Sequence, residues 1–443
     1  MLLFLFNLLA QHFYFYSVLL PCMNPLFYPY VPKHVVMRRY GEVNIYDLKN
    51  DESYIIDDEA YSILKQIDGL TSVQDILKKY PANKHEEVRE AMNTFHELKV
   101  LTSSTIKIQD ASITSIDHVN LPQTNPFMEP YLKNLMINIT EKCNLTCKHC
   151  YITAKNPIDF PLDQLKTIVK EFHELQGIRL ILTGGEPFMY SRLKELLNFL
   201  KDMPLQKVIL SNGTLINENK EILALLKENN VEIYISLDGL ESSHDDFRNA
   251  DCFKDVIHAV KILLKNDIAV SINTMVHKQN IKEFEEMRDL LNSLGKIKNW
   301  SIDIPTFDEA TPEQIRKKYE VSPKEGGEIL RDYGWGVIFE SEGGSFDYAC
   351  GPHLMAIDVN GVVTKCGFFT EQSPGNVFEL GLKESWKRIQ KDLNWCLKDL
   401  KCSELNCEYI DDCRGGCRYR GFKQTGDVCG VDSYKCYQFG KLK

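Results

Sequence analysis

The sequence predicts an α/β protein: a partial (β/α)6 TIM-like barrel, preceded by a small winged-helix module and followed by a cysteine-rich region. Three observations predict this. From Leu135 onward, apolar runs of strand length alternate with helical periodicity six times. Before that, three alternating segments and then three helical ones fill residues 34–102. After residue 350 the periodicity fades and cysteines accumulate, nine of the chain's 14 lying between Cys350 and Cys436.

In order, "HVVMRRY", "VNIYDLK" and "SYIID" read as short strands. "DEAYSILKQID" places Ala60, Ile63, Leu64 and Ile67 at helix spacing, and Gly69 stops it. "TSVQDILKKY" restarts with Thr71 as N-cap. A third helix sets Val88, Met92, Phe95 and Leu98 on one face. Residues 103–130 are polar and read as a linker. In 131–305 the strands are "LMINIT", "RLILTGG", "KVILSNG", "EIYISLDG", "AVSINTMV" and "NWSIDIP". Helices are expected at 162–176, 191–201, 217–229, 253–265 and 280–294. Alternating units imply a parallel sheet with its chemistry at the C-terminal strand ends. Residues 306–349 look like a charged connector. From 350 to 443, apolar periodicity is so sparse that metals, rather than a core, are expected to hold the segment.

Composition narrows the function. The chain is 44% hydrophobic and 26% charged, as a globular protein is. A net charge of -10 argues against nucleic acid as a partner. Residues 1–33 begin with an apolar extension that lacks a basic flank, and Gln11 and His12 interrupt it. It is expected either to touch a membrane surface or to precede a true start at Met23; no stable membrane span is expected, and the expected location is cytoplasmic.

"EKCNLTCKHCY" carries Cys143, Cys147 and Cys150. Their spacing would suit a helix stripe, but Lys142, Asn144, Thr146, Lys148 and His149 surround them. Zinc would need four closed ligands, and this segment offers three thiols plus His149. The remaining reading is a [4Fe–4S] cluster with one iron left open.

CxxxCxxC followed by an aromatic resembles the hallmark of radical S-adenosylmethionine (SAM) enzymes. The resemblance implies that the open iron chelates SAM and that SAM cleavage yields a 5′-deoxyadenosyl radical. It implies that Gly184, Gly185 and Glu186 of "TGGEP" hold the SAM amino group. It also makes Tyr151, Ser211, Asn212, Ser236, Arg248, Asn273 and Val276 neighbours of SAM, with Ser236 and Arg248 facing its ribose or carboxylate. A guanidinium matches a carboxylate bidentately.

The carboxy-terminal cysteines resemble the SPASM extension, which binds two auxiliary [4Fe–4S] clusters. The resemblance assigns Cys350, Cys366 and Cys417 to one, and Cys402, Cys407, Cys413 and Cys436 to the other. Cys402-x4-Cys407 departs from the usual Cys-x2-Cys, and the first set lacks a fourth thiolate. Either its iron is open, to a substrate thiolate for example, or Cys429 completes it. Cys22, Cys252 and Cys396 read as ordinary thiols.

Residues 34–102 resemble the PqqD-like fold that recognises leader peptides by β-augmentation. The whole chain resembles subtilosin-type sactipeptide maturases, radical SAM/SPASM enzymes that act on a precursor peptide with a leader. The resemblance implies a thioether from Cys sulfur to Cα, and a reductant such as flavodoxin or ferredoxin. Carbon–carbon crosslinking, epimerisation, maturation of a peptide-derived cofactor, and a non-catalytic cluster-bearing protein remain alternatives. Asp303 and His353 are candidate proton acceptors.

Overall fold

A computed structural model describes residues 24–442, except 51, 109, 111–112, 116–120, 153–154, 308–310 and 336–346. These residues form two units, 24–122 and 123–442. The apolar stretch 1–22, the expected start at Met23, and Cys22 lie outside the described residues.

The first unit opens with β1 (Tyr28–Tyr30). An antiparallel sheet follows: β2 (Val35–Tyr40), β3 (Glu42–Asp47) and β4 (Glu52–Ile56), with β3 in the centre. Helices α1 (Asp58–Leu64), α2 (Val73–Leu77) and α3 (His85–Glu97) cover it. Val35, Met37, Val43 and Ile45 pack with Ile63, Leu64, Ile67, Val88, Met92 and Phe95, as the sequence periodicity requires. The N-cap of α2 is Ser72, not Thr71: the Ser72 hydroxyl accepts the Asp75 N–H, while Asp68 takes the N–H and hydroxyl of Thr71. Strand β5 (Thr102–Ser104) pairs with β1.

Two expected boundaries move here. Residues 28–33 belong to the unit rather than to an extension, since Pro29 accepts from Gly69 N–H and Val31 is buried. The supposed linker is partly taken up as well. Ile113 accepts the Lys33 N–H at 3.0 Å, and Ser115 donates its N–H to Val31 at 2.8 Å.

In the second unit the six expected β/α repeats are present. They run β6 (Asn134–Thr140), α4 (Leu162–Glu174), β7 (Arg179–Gly184), α5 (Leu193–Leu200), β8 (Gln206–Ser211) and α6 (Lys220–Glu228). Then come β9 (Val231–Ser236), α7 (Glu241–Arg248), α8 (Phe253–Lys265), β10 (Ala269–Met275), α9 (Phe284–Leu294) and β11 (Trp300–Asp303). Both sheet faces are covered, which explains the near-continuous apolar runs. Leu135, Ile137 and Ile139 enter the main core, whereas Met136, Ile181, Val208 and Tyr234 form a second cluster on the other face.

The connector contains two helices, α10 (Glu313–Tyr319) and α11 (Pro323–Asp332), the second closed by a capping box between Ser322 and Glu325. The sheet also grows beyond six strands. β12 (Leu354–Ile357) pairs parallel with β6, and β13 (Val362–Thr364) and β14 (Gly375–Asn376) continue it antiparallel. The order is β11-β10-β9-β8-β7-β6-β12-β13-β14, open at both ends. Helix α12 (Val377–Asp392) places Trp386 and Ile389 in the main core. The carboxy-terminal segment thus has an apolar core as far as residue 393, contrary to expectation. Short helices follow: α13 (Lys401–Glu404), α14 (Ile410–Cys413), α15 (Arg418–Thr425) and α16 (Ser433–Gln438). Among the described residues no helix is long and apolar enough to cross a membrane.

Candidate active site

The cysteine triplet lies in the loop that leaves the end of β6. Two backbone hydrogen bonds pin its start: Gly185 N–H to Thr140, and Glu186 N–H to Lys142, both 2.7 Å. This closeness is what requires the glycines. A Cβ on Gly184 would lie 2.2 Å from the Thr140 carbonyl oxygen, and one on Gly185 would lie 2.3 Å from that of Lys142. The glycines therefore admit neighbouring backbone, not only a ligand. Opposite them, Asp159 accepts from the Thr140 hydroxyl and the Lys142 ammonium, each at 2.6 Å.

The middle of the loop is held by aromatic packing. His149 stacks on Phe247 (4.2 Å, 9° between planes), and Phe247 stacks on His277 at 4.0 Å. Burial, helped by the Arg248 charge, pushes the His149 pKa down to about 3, so its ring is neutral. A ring laid flat on Phe247 is committed to packing, which weakens zinc as the occupant. The three thiols are half-buried. Cys143 Sγ accepts from Leu145 N–H at 3.5 Å and from the Asn212 amide at 4.0 Å.

Around the triplet, the strand ends bring most of the expected residues together. Glu186 is fully buried after β7; it accepts from Ser211 Oγ (2.8 Å), Asn212 N–H (2.8 Å) and Phe188 N–H (3.1 Å). Desolvation nevertheless raises its pKa to about 6. Ser236 at the end of β9 lies in register beside Asn273 on β10. Val276 is different. Its side chain is in the main apolar core, so only its backbone remains for a ligand. Tyr151 hydrogen-bonds to Thr183 and meets Phe368 edge-on at 5.5 Å. Both Cys150 and Cys366 lie within electrostatic reach of its hydroxyl.

Arg248 is placed otherwise than expected. Its Nε lies 2.6 Å from Asp238 Oδ2, and its NH1 lies 3.8 Å from Cys147 Sγ. Against the desolvation of a buried site, Arg248 keeps the Asp238 carboxyl below the usual carboxylate range. The sequence reading missed Asp238, His277 and Asn280. The signal for Asp238 was present, an acid inside the strand-end "SLDG".

The carboxy-terminal cysteines fall into two groups. Cys402, Cys407, Cys413 and Cys436 line one pocket, with Asp432, Lys435 and Tyr409. Burial pushes the thiols of Cys413 and Cys436 up to about 11 and about 12. Buried sulfurs of this kind are costly to ionise alone, and a polynuclear metal centre offsets that cost; the donor set fits an iron–sulfur cluster. Cys350 lies within electrostatic reach of both Cys366 and Cys417, whose thiols burial raises to about 11 and about 12. Cys429 packs against a buried cluster that holds both Ala349, beside Cys350, and Cys402, and its carbonyl accepts Lys401 N–H at 3.0 Å. Cys252 is a buried thiol 3.4 Å from His244 Nε2, and Cys396 is half-buried in a bridge to Tyr348.

The proton-acceptor candidates fare less well. Asp303 is at the right strand end, but its carboxylate is paired with the buried guanidinium of Arg420. Arg420 also binds Asp432, which accepts Cys417 N–H at 2.8 Å. His353 is buried, donates to the Tyr131 carbonyl at 2.8 Å, and has its pKa pushed down to about 3 by desolvation. It precedes β12, whose first residue is level with the first residue of β6. It therefore sits at the opposite end of the sheet from the cysteine loop.

Residues 137–291 match the family model described as the radical SAM superfamily. The chain is 25% identical over 365 residues to the AdoMet-dependent heme synthase of Oleidesulfovibrio alaskensis, covering 72% of this chain and 91% of that protein. It is 24% identical over 390 residues to the subtilosin biosynthesis protein AlbA of Bacillus subtilis, covering 83% and 84%. In fold it is similar to Streptococcus suis SuiB bound to S-adenosylmethionine, with a TM-score of 0.60 at 17% identity over 91% of this chain and 98% of that one. SuiB has also been solved with its precursor peptide SuiA, again at a TM-score of 0.60.

Proposed function

We propose that this radical SAM enzyme modifies a ribosomally made precursor peptide, forming a thioether between a cysteine sulfur and an α-carbon. The observation that carries the reading is the coexistence of two cysteine sites in one unit. One is the triplet at the end of β6, linked to Glu186 through Asn212; the other is the pocket of Cys402, Cys407, Cys413 and Cys436.

A cluster held by Cys143, Cys147 and Cys150 would supply the electron that cleaves SAM. Glu186 is suited to hold the SAM amino group, and Ser236 and Asn273 to hold the ribose. Cys350, Cys366 and Cys417 would hold one auxiliary cluster, with an open position suited to a substrate thiolate. In the overall reaction one substrate hydrogen leaves as an atom to the adenosyl radical. The thiol would lose a proton and the new bond one electron, which a cluster held by the carboxy-terminal cysteines would be suited to take up for a flavodoxin or ferredoxin. The three-stranded sheet of the first unit is suited to a PqqD-like role, pairing its edge with a leader peptide.

The test is reconstitution with SAM, dithionite and a cysteine-containing precursor peptide, sought among the small open reading frames near this chain's gene. The expected result is 5′-deoxyadenosine together with a peptide lighter by two hydrogens per link. Carbon–carbon crosslinking gives the same mass but leaves the thiols alkylatable. An unchanged mass points to epimerisation. The heme synthase relatives favour a second reading, a porphyrin substrate. The AlbA match spans more of this chain, and on that ground the peptide is preferred. Turnover of an iron porphyrin, with none of the peptide, would reverse that order.

A further inference from the structure

Arg248 ends helix α7, and the structure fixes it from several sides. Phe247 before it is clamped between His149 and His277. Asn249 after it takes a left-handed conformation (φ 58°) and donates its amide to Thr146 Oγ1 at 2.8 Å. The guanidinium gives its Nε and NH2 to Asp238 Oδ2, at 2.6 and 2.5 Å. Asp238 is itself immobile: its Oδ1 accepts Met275 N–H (2.8 Å), and its carbonyl lies 2.8 Å from His277 Nε2 and 3.0 Å from the Asn280 amide. With two nitrogens taken, NH1 is left aimed at Cys147 Sγ, 3.8 Å away.

A guanidinium does not deprotonate in proteins, so this charge is permanent. Both Arg248 and Asp238 are buried, where a directed charge acts more strongly than in water. Hydrogen bonds to cluster sulfurs and nearby charge are among the factors that set iron–sulfur potentials. A donated N–H and a positive charge favour the reduced, more negative state.

We propose that Arg248, oriented by Asp238, is a positioning residue that hydrogen-bonds the Cys147 sulfur and raises the reduction potential of the cluster held by Cys143, Cys147 and Cys150. This rests on those three cysteines being cluster ligands, but not on the identity of the substrate. It differs from a role in gripping the SAM carboxylate, because it acts before SAM binds.

The test is a redox titration of the anaerobically reconstituted full chain by electron paramagnetic resonance, without SAM. The relevant signal is identified afterwards by its response to added SAM. At the potential where the native cluster is half reduced, Arg248→Gln should lower the ratio of reduced to oxidised cluster about tenfold, the worth of one charge-assisted hydrogen bond. Arg248→Lys, which keeps the charge but not the fork, should fall between. The auxiliary signals should be unchanged in both. An unaltered SAM-free titration in Arg248→Gln, with only SAM affinity lost, would overturn the proposal. Should that variant fail to hold its iron, Arg248→Lys decides, and a ratio equal to native overturns it. A native protein with no SAM-responsive signal would instead sink the cluster reading itself.

Discussion

Glu186 shows how one buried side chain links stability and ligand binding to pH. Three donors hold its carboxylate, yet burial keeps its pKa at about 6 in the folded chain. An acid raised on folding binds more protons in the native state than in the unfolded one between its two pKa values. Its contribution therefore falls as pH rises through that window. The rise from 4.5 to about 6 is worth ~2 kcal/mol. Denaturant melts of the protein without SAM should show this. The stability difference between native chain and Glu186→Gln should shift against the native chain as pH rises from about 4.5 to about 6, and stay flat above. A parallel pair of curves would refute the assignment. Glu186 was legible in "TGGEP", because a carboxylate after two glycines at a strand end is a local pattern. Arg248 was legible as a neighbour of SAM only through the family resemblance. That its partner is Asp238, ten residues earlier on the far side of a turn, required the fold.

Helix α16 carries Cys436, and its hold on the rest of the unit depends on two glycines. Gly326 and Gly327 of α11 let α16 approach closely. A Cβ on Gly327 would lie 2.4 Å from Tyr437 Cβ and 2.7 Å from the Tyr434 carbonyl oxygen. Neither neighbour can rotate away. Gly327→Ala should therefore destabilise the chain by about 1–3 kcal/mol, the usual cost of overpacking. It should also weaken iron retention at the pocket of Cys402, Cys407, Cys413 and Cys436, while the SAM-responsive signal persists. Iron analysis of the reconstituted variant checks this; full retention of ~12 irons, three cubane clusters, would count against the coupling. The sequence read 306–349 as a connector because its charged composition hid two short helices. The glycine face of α11 makes sense only opposite Tyr434 and Tyr437, and Tyr319 of α10 only opposite Phe247 and His277.

At the scale of the whole molecule, the first unit is proposed to select substrate and the second to do chemistry. Strand β4 is an edge of its sheet, and Ile55 on it is 55% exposed. Ile55→Asp should leave the fold and SAM cleavage intact, while peptide modification falls at least about tenfold if a leader peptide pairs there. Mass spectrometry alongside 5′-deoxyadenosine quantification separates the two. Equal loss of both would argue against a division of labour.

What the sequence by itself determined were local features: cysteine spacing, glycines beside an acid, and the rhythm of strand and helix. These are readable because a ligand spacing or a periodicity of two or 3.6 is written over a few residues. Only the tertiary structure decided which distant groups meet. It committed Asp303 to Arg420, sent His353 to the opposite end of the sheet from the cysteine loop and turned Arg248 toward Cys147. The physical reason is that hydrogen bonds and ion pairs act over a few ångströms in space, whatever the separation along the chain. A spacing names the groups that can react, and the packing of the sheet settles which of them are within reach.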